Sequence, residues 1–454
     1  MEKLLKRLIW LYVALLIFEG ALRKWVAPSL SDPLLIVRDP VALAIYVTAF
    51  FSGRFPVNGF ILATIALAGA SVVASLLGGQ TNLLVLAYGL RINYGHLPII
   101  WIMGEVLTRK DAERLGCFLL LVALPMTAVM VLQFKSPPGA FINRGIGSDE
   151  MGQIYGALGR IRPPGFFSFI TGPQVFYPLV TAFFLNQASG NRRLWWPVLI
   201  AAGLAALVAL PVSISRTAML ATAIVGGVFV LSMPRAGVGI SSRLMTVITL
   251  GVVAVAVSFL PIFGEGREAF MARWQTAAGG ADADAWGGIL GRVIGGFTQP
   301  LHWAATAPLF GHGIGVGSNV GARLLAGHVG FLLAEDEWGK IFLELGPVLG
   351  AAFIGFRLLL TAYLGLRALG ALFFQRDNLP ILIWAACAPP IALDQWAPPT
   401  ILGFAVIGGG LLLASLKDDE DETEEDSPEP TGAESDNEEP DAREAEALPV
   451  RERY

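Results

Sequence analysis

Charge is what this chain has least of. Only 15% of its 454 residues are Asp, Glu, Lys or Arg, where a soluble domain carries roughly 25%. Set against 54% apolar residues and a mean hydropathy of +0.62, that shortage excludes a water-soluble fold and specifies a polytopic membrane protein. Cysteine is nearly absent: Cys117 and Cys387 both lie inside apolar runs, where a thiol packs as a small hydrophobe. A disulfide framework and a cysteine metal site are thereby excluded. No phosphate-binding Walker loop and no zincin helix occurs either. The chain is expected to use no metal or other cofactor and no nucleic acid, so the energy for any chemistry has to come from the substrate.

The formal net charge of −4 conceals two opposite parts. Residues 417–454 hold 17 acidic and 4 basic residues, a balance of −13, and the preceding 416 residues carry 28 basic against 19 acidic. The tail, with DDEDETEEDSPEP, lacks the apolar content to fold and reads as a disordered, solvated end. Residues 1–416 read as one all-α transmembrane domain.

A helix needs about twenty apolar residues to cross a bilayer core. About twelve such stretches occur, at 5–26, 33–53, 57–78, 83–106, 114–134, 167–189, 195–213, 216–233, 244–263, 339–363, 379–394 and 399–416. The first follows Lys3, Lys6 and Arg7 without a small-residue cleavage site before Arg23 and Lys24, so it reads as a retained span. The last two are short and interrupted by Asp394, Gln395 and Pro398-Pro399, which leaves room for a re-entrant pair.

Basic residues in short connections mark the cytoplasmic side. With the N-terminus inside, that side receives Arg54, then Arg109, Lys110 and Arg114, then Arg192 and Arg193, then Arg235 and Arg243, then Arg367 and Arg376. The alternation holds at every turn. Both termini are then cytoplasmic, and two long loops, 135–166 and 264–338, fall outside.

Polar residues concentrate in those loops. LHWAATAPLFGHGIGVGSNVGARLLAGHVGFLLAEDEWGKIFLELGPVL, at 301–349, gathers His302, His312, His328 and the acidic run Glu335, Asp336, Glu337 beside an apolar helix. Ionisable groups at a membrane boundary are costly unless they act. Histidine and a carboxylate crowded among like charges both suit general base work. The spacing of Gly311, Gly313, Gly315 and Gly317 lacks the strand and acidic context of a dinucleotide site and reads as packing. In the first long loop Arg160 and Arg162 precede Pro-Pro-Gly, and PVSISRTAML places Arg216 at a tight turn between apolar spans. Arg91 lies within the fourth span with His96 a turn onward. A guanidinium at such a boundary either snorkels to headgroups, pairs within the bundle, or forks onto phosphate oxygens.

Four segments together resemble the bacterial O-antigen ligase and O-antigen or exopolysaccharide polymerase family: RPPGFFSFITGP before a span, the SISR turn, PLFGHGIGVGS opening the late loop, and EDEWGKIFLELGPVLG entering the next span. The resemblance covers most of the chain. It implies a glycosyltransferase of the lipid-donor, GT-C-like type in the bacterial inner membrane, taking glycan from undecaprenyl diphosphate on the outer face, beside membrane lipid and other polysaccharide assembly proteins. It also implies that Arg162 and Arg216 hold the diphosphate, while Arg91, Arg160, His302 and His312 are read from their polarity and placement as further substrate contacts. Where such proteins carry His-Asn ahead of Glu-Leu-Gly, this chain has Glu335 to Glu337 ahead of Glu344, Leu345 and Gly346. The expected base is therefore Glu335 or Glu337, with His328 as the alternative. That departure favours a polymerase over a ligase acting on a lipid or protein acceptor. A transporter of lipid-linked glycan or anionic solute is the rival outside this class, and it would show ionisable groups deep in several spans and repeated halves.

The sidedness is open to direct test. In spheroplasts, an impermeant thiol reagent is expected to label a cysteine introduced into the 264–338 loop and to spare one in the acidic tail. The opposite pattern inverts the assignment.

Overall fold

The computed structural model describes residues 1–146, 160–190, 192–234, 300–328, 330 and 332–417. Over these the chain is all-helical. In order come α1 (Glu2–Ala21), α2 (Arg38–Phe51), α3 (Gly59–Leu77), α4 (Leu83–Leu90), α5 (Pro98–Val106), α6 (Arg109–Lys135), α7 (Thr171–Ala188), α8 (Trp196–Val212) and α9 (Arg216–Ser232). They are followed by α10 (Asn319–Ala326), α11 (Glu337–Gly370), α12 (Leu379–Ala392) and α13 (Pro399–Ser415). The expected span 244–263 and the tail from 418 lie outside the described residues, as do parts of both long loops.

Five helical stretches have the length and apolarity to cross a membrane: Pro28–Phe51, Gly59–Leu77, Leu83–Val106, Arg109–Lys135 and Glu337–Gln375. The chain is a membrane protein on that ground. Four apolar helices, α8, α9, α12 and α13, are shorter. α13 is the centre of the bundle, packed most closely on α5 and α12, and almost every residue from Ile401 to Ser415 is buried. A helix apolar all round has no polar face to turn to solvent, so it is enclosed. Gly408 and Gly410 set how near its neighbours come: a Cβ there would lie 2.5 Å from Cys387 Cβ and 2.7 Å from Met103 Cβ. Small residues at helix contacts let backbones approach in this way, and Cys387 is part of that packing.

The basic connections gather at one end of the bundle. Lys6 pairs with Asp111 at 2.9 Å, and Arg54 reaches Glu2 at 3.6 Å and Glu105 at 3.7 Å. Arg109 binds Glu113 and Asp377, and Arg193 binds Glu113. α1, α3, α6, α8 and the connection before α12 therefore share this end. Their opposite ends carry Glu19, Arg23 and Arg38, the Ser213–Arg216 turn, and the loop 308–318.

α11 departs from the continuous span expected at 339–363. Gly346 has φ of +80° and breaks it ahead of Pro347, and Arg357 meets Glu337 at 2.7 Å. Twenty residues of straight helix would separate these groups by about 30 Å. Residues 337–345 are thus folded back along 347–357, with Phe342 against Gly350.

Two consequences are measurable. Gly315 has φ of +91° and a Cβ there would meet Val85 O at 2.3 Å, whereas a Cβ at Gly69 meets nothing within 4 Å. Gly315→Ala is expected to destabilise the protein by about 1–3 kcal/mol and lower the melting temperature in detergent, with Gly69→Ala unchanged; equal melting of the two variants would show the loop is not tightly seated. For the labelling test above, Ser318 is buried as the N-cap of α10, so the exposed Thr306 is the suitable loop position, and the exposed Ser189 reports on the ion-paired end.

Candidate functional site

The fold-back builds a cluster of charge wholly inside the protein. Asp336 caps the short helix, its carboxylate accepting from Gly339 N at 2.6 Å, as a residue at this position does for orphan amides. Glu337 follows, with Arg357 Nη1 on one carboxylate oxygen at 2.7 Å and Lys340 Nζ 2.6 Å from the other. The Lys340 contact is an ion pair without hydrogen-bond alignment. Arg357 also donates to Ile391 O at 2.8 Å and Asp394 O at 2.6 Å, and its guanidinium stacks 4.0 Å from the Trp396 ring centroid.

The Ile391 carbonyl belongs to the last turn of α12 and the Asp394 carbonyl to the turn between α12 and α13. With 14 and 17 residues, neither helix alone has the roughly twenty residues that a bilayer core needs, and the turn at 393–398 between them buries Trp396 while Leu393 is exposed. Here Arg357 takes two carbonyls, Trp338 Nε1 donates to Ala392 O at 3.1 Å, and Trp396 Nε1 donates to Pro390 O at 2.8 Å. The interrupted final spans are a helical pair joined by a turn that Arg357 holds.

Above this cluster the glycine loop closes on the kink. His312 N donates to Leu343 O at 2.8 Å, Gly313 N to Glu344 O at 3.0 Å, and Ile314 N to Ser75 Oγ at 2.9 Å. Gly317 N donates to the buried Glu344 carboxylate at 2.8 Å. Gly311, Gly313 and Gly315 all have positive φ, and Cβ atoms at 311 and 313 would strike Glu344 O at 2.2 Å and Gln80 Cβ at 2.6 Å. Close backbone approach is what this spacing provides.

The residues singled out in the sequence fall into distinct settings. Glu337 is enclosed by its two cations, whereas Glu335 is exposed and its backbone carbonyl accepts from Gln395 Nε2. His328, His312 and His302 are exposed, the last beside Trp303 with ring centroids 5.9 Å apart. Arg91 does not stand alone: Asp39 receives Arg91 Nε at 2.5 Å and His96 Nε2 at 3.2 Å, and Tyr12 OH lies 3.1 Å from His96 Nδ1. Arg160 bonds the Phe134 and Lys135 carbonyls at the end of α6. Arg162 is buried on a turn fixed from three sides. Lys24 Nζ donates to Gly165 O at 2.6 Å, Gln133 Oε1 accepts from Gly165 N at 2.8 Å, and Arg23 bonds Ser168 at 3.3 Å. Arg216 is the first residue of α9, behind the Ser215 cap.

Sequence reasoning passed over Arg357, Lys340, Asp39, Lys24 and Gln133. An arginine ten residues inside an apolar run was itself a signal for Arg357; Gln133 carried none. No family model matches the chain, and no curated protein matches it.

Glu337 and Arg357 stabilise the fold as a unit. Removing one member of such a pair leaves a buried charge and costs about 3–5 kcal/mol, so Arg357→Leu is expected to abolish folded protein in membranes while Glu337→Gln combined with Arg357→Met recovers part of it. Strict additivity of the two losses would mean the groups are not coupled.

Proposed function

We propose that this chain is a lipid-donor glycosyltransferase of the bacterial inner membrane, a polysaccharide polymerase with about twelve spans, both termini cytoplasmic, and its site in the outer loops. One observation carries the proposal: the end of the bundle opposite the ion-paired network holds the buried Arg162, the half-buried Arg216 and the exposed Glu335. Arg162 stands on a turn pinned by Lys24 and Gln133. Arg216 opens α9, where unpaired helix amides favour anions as well. Glu335 stands exposed at the mouth of the fold-back.

The chemistry these groups suit is glycosyl transfer. An acceptor hydroxyl loses its proton to the base as its oxygen bonds the anomeric carbon, and the anomeric C–O bond breaks with its electron pair leaving on the diphosphate. Cations aimed at that developing charge lower the barrier. A diphosphate leaves without an acid, so one base and fixed cations suffice. Glu337 is committed to Arg357 and Lys340, which leaves Glu335 as the carboxylate base and His328 as its rival. Ligation to a lipid or protein acceptor uses the same steps and differs in the acceptor alone.

Purified protein with an undecaprenyl-diphosphate oligosaccharide is expected to give a ladder of chain lengths. Arg216→Lys keeps the charge but loses the planar fork, and a loss of about a hundredfold is expected, on the scale of one oriented donor. Glu335→Gln is expected to be inactive at normal abundance. An active Glu335→Gln beside a dead His328→Ala transfers the role of base to His328; full activity in Arg216→Ala removes that arginine from the donor site.

A further inference from the structure

A second site lies at the other end of the molecule. Between α3 and α11 runs an apolar groove of about 890 Å³, within the roughly 300–1,000 Å³ of ligand pockets. Its floor is aromatic: Phe60 stacks on Trp101 at 5.3 Å and meets Tyr363 at 5.2 Å and Phe356 at 6.0 Å. Its walls carry small residues, Ala63 among them, and a Cβ at Gly59 or Gly355 meets nothing within 4 Å. Both walls belong to candidate membrane spans, and the neighbouring Leu62 and Leu359 are 57% and 67% exposed. The groove therefore opens sideways into lipid.

Length and charge identify the occupant. Along α11 the groove extends from Ala352 to Tyr363, about 16 Å at 1.5 Å per residue, which matches one leaflet of a hydrocarbon core about 30 Å thick. It ends at Asn58 and Tyr363, on the side of the bundle where Arg54 joins the ion-paired network. At that end the exposed Arg367 donates to Tyr363 OH at 2.9 Å, with its guanidinium 5.9 Å from the ring centroid. Among the described residues no acid pairs with it. An apolar slot one leaflet deep, with a guanidinium at its headgroup end, fits one acyl chain under an anionic phosphate.

We infer that the groove between α3 and α11 binds a single anionic phospholipid of the adjoining leaflet, one acyl chain on the Phe60–Trp101–Phe356 floor and its phosphate at Arg367. The site is independent of the proposed transferase centre, which lies at the opposite end. It is tested with full-length protein in phosphatidylcholine vesicles containing either phosphatidylglycerol or phosphatidylcholine with the same photoreactive acyl chain, the labelled peptides being mapped. The anionic probe is expected to label residues 59–67 and 352–363 several-fold more than the neutral one. Gly355→Leu, whose side chain enters open space, is expected to reduce labelling by both probes several-fold. Arg367→Gln is expected to bring the anionic probe down to the neutral level. Equal labelling by the two probes in the unaltered protein, or labelling indifferent to Gly355→Leu, overturns the site and reduces the groove to ordinary lipid contact.

Discussion

Glu337 and Arg357 can touch only because helix α11 is not one helix. A charge taken out of water demands a partner, and breaking such a pair inside a protein costs about as much as many domains have to spare. The contact at 2.7 Å therefore fixes more than two side chains. It requires the reversal at Gly346, where φ of +80° admits glycine and little else. The reversal in turn makes the saddle on which the 308–318 loop sits. Arg357 has donors to spare, and with them it ties the end of α12 to the turn before α13.

The same scarcity of charge divides the molecule into two ends with different work. At one, Glu2, Glu105, Asp111, Glu113 and Asp377 each meet a basic residue from another helix or loop, and these pairs are partly exposed. Pairs of that kind contribute little apiece, but they draw together connections far apart in sequence. At the other end the described cations share an acid or turn to the backbone. Arg23 and Arg38 share Glu19, and Lys24 has a carbonyl for its partner. Lys24 and Arg23 in this way hold the turn that follows Arg162.

Much of this was legible in the apolar runs. Apart from α11, the long helices lie in stretches read from composition, and Arg54, Arg109 and Arg193, read as one side of the membrane, are found at one end of the bundle. The glycine spacing was legible as packing, although which backbone each glycine approaches was not. The fold-back was hidden for a physical reason. Gly346-Pro347 inside apolar sequence reads equally as a kink within a span, and only the partner at Arg357 distinguishes a reversal from a bend. Arg91 and His96 were visible as a pair, but their common partner Asp39 lies more than fifty residues earlier, and pairing at that range leaves no local trace.

The acidic run shows how far structure sorts what sequence presents as equivalent. Three adjacent carboxylates have three duties. Asp336 is spent on the amide of Gly339, since a helix start inside protein must find an acceptor for its orphan donors. Glu337 is spent on Arg357 and Lys340, one cation to each carboxylate oxygen. Glu335, one residue before the cap, is the member whose side chain is left exposed, because the chain has not yet entered the helix and its carbonyl is already tied by Gln395. The helix start itself, by using the two acids that follow, leaves Glu335 as the one of the three whose side chain is exposed.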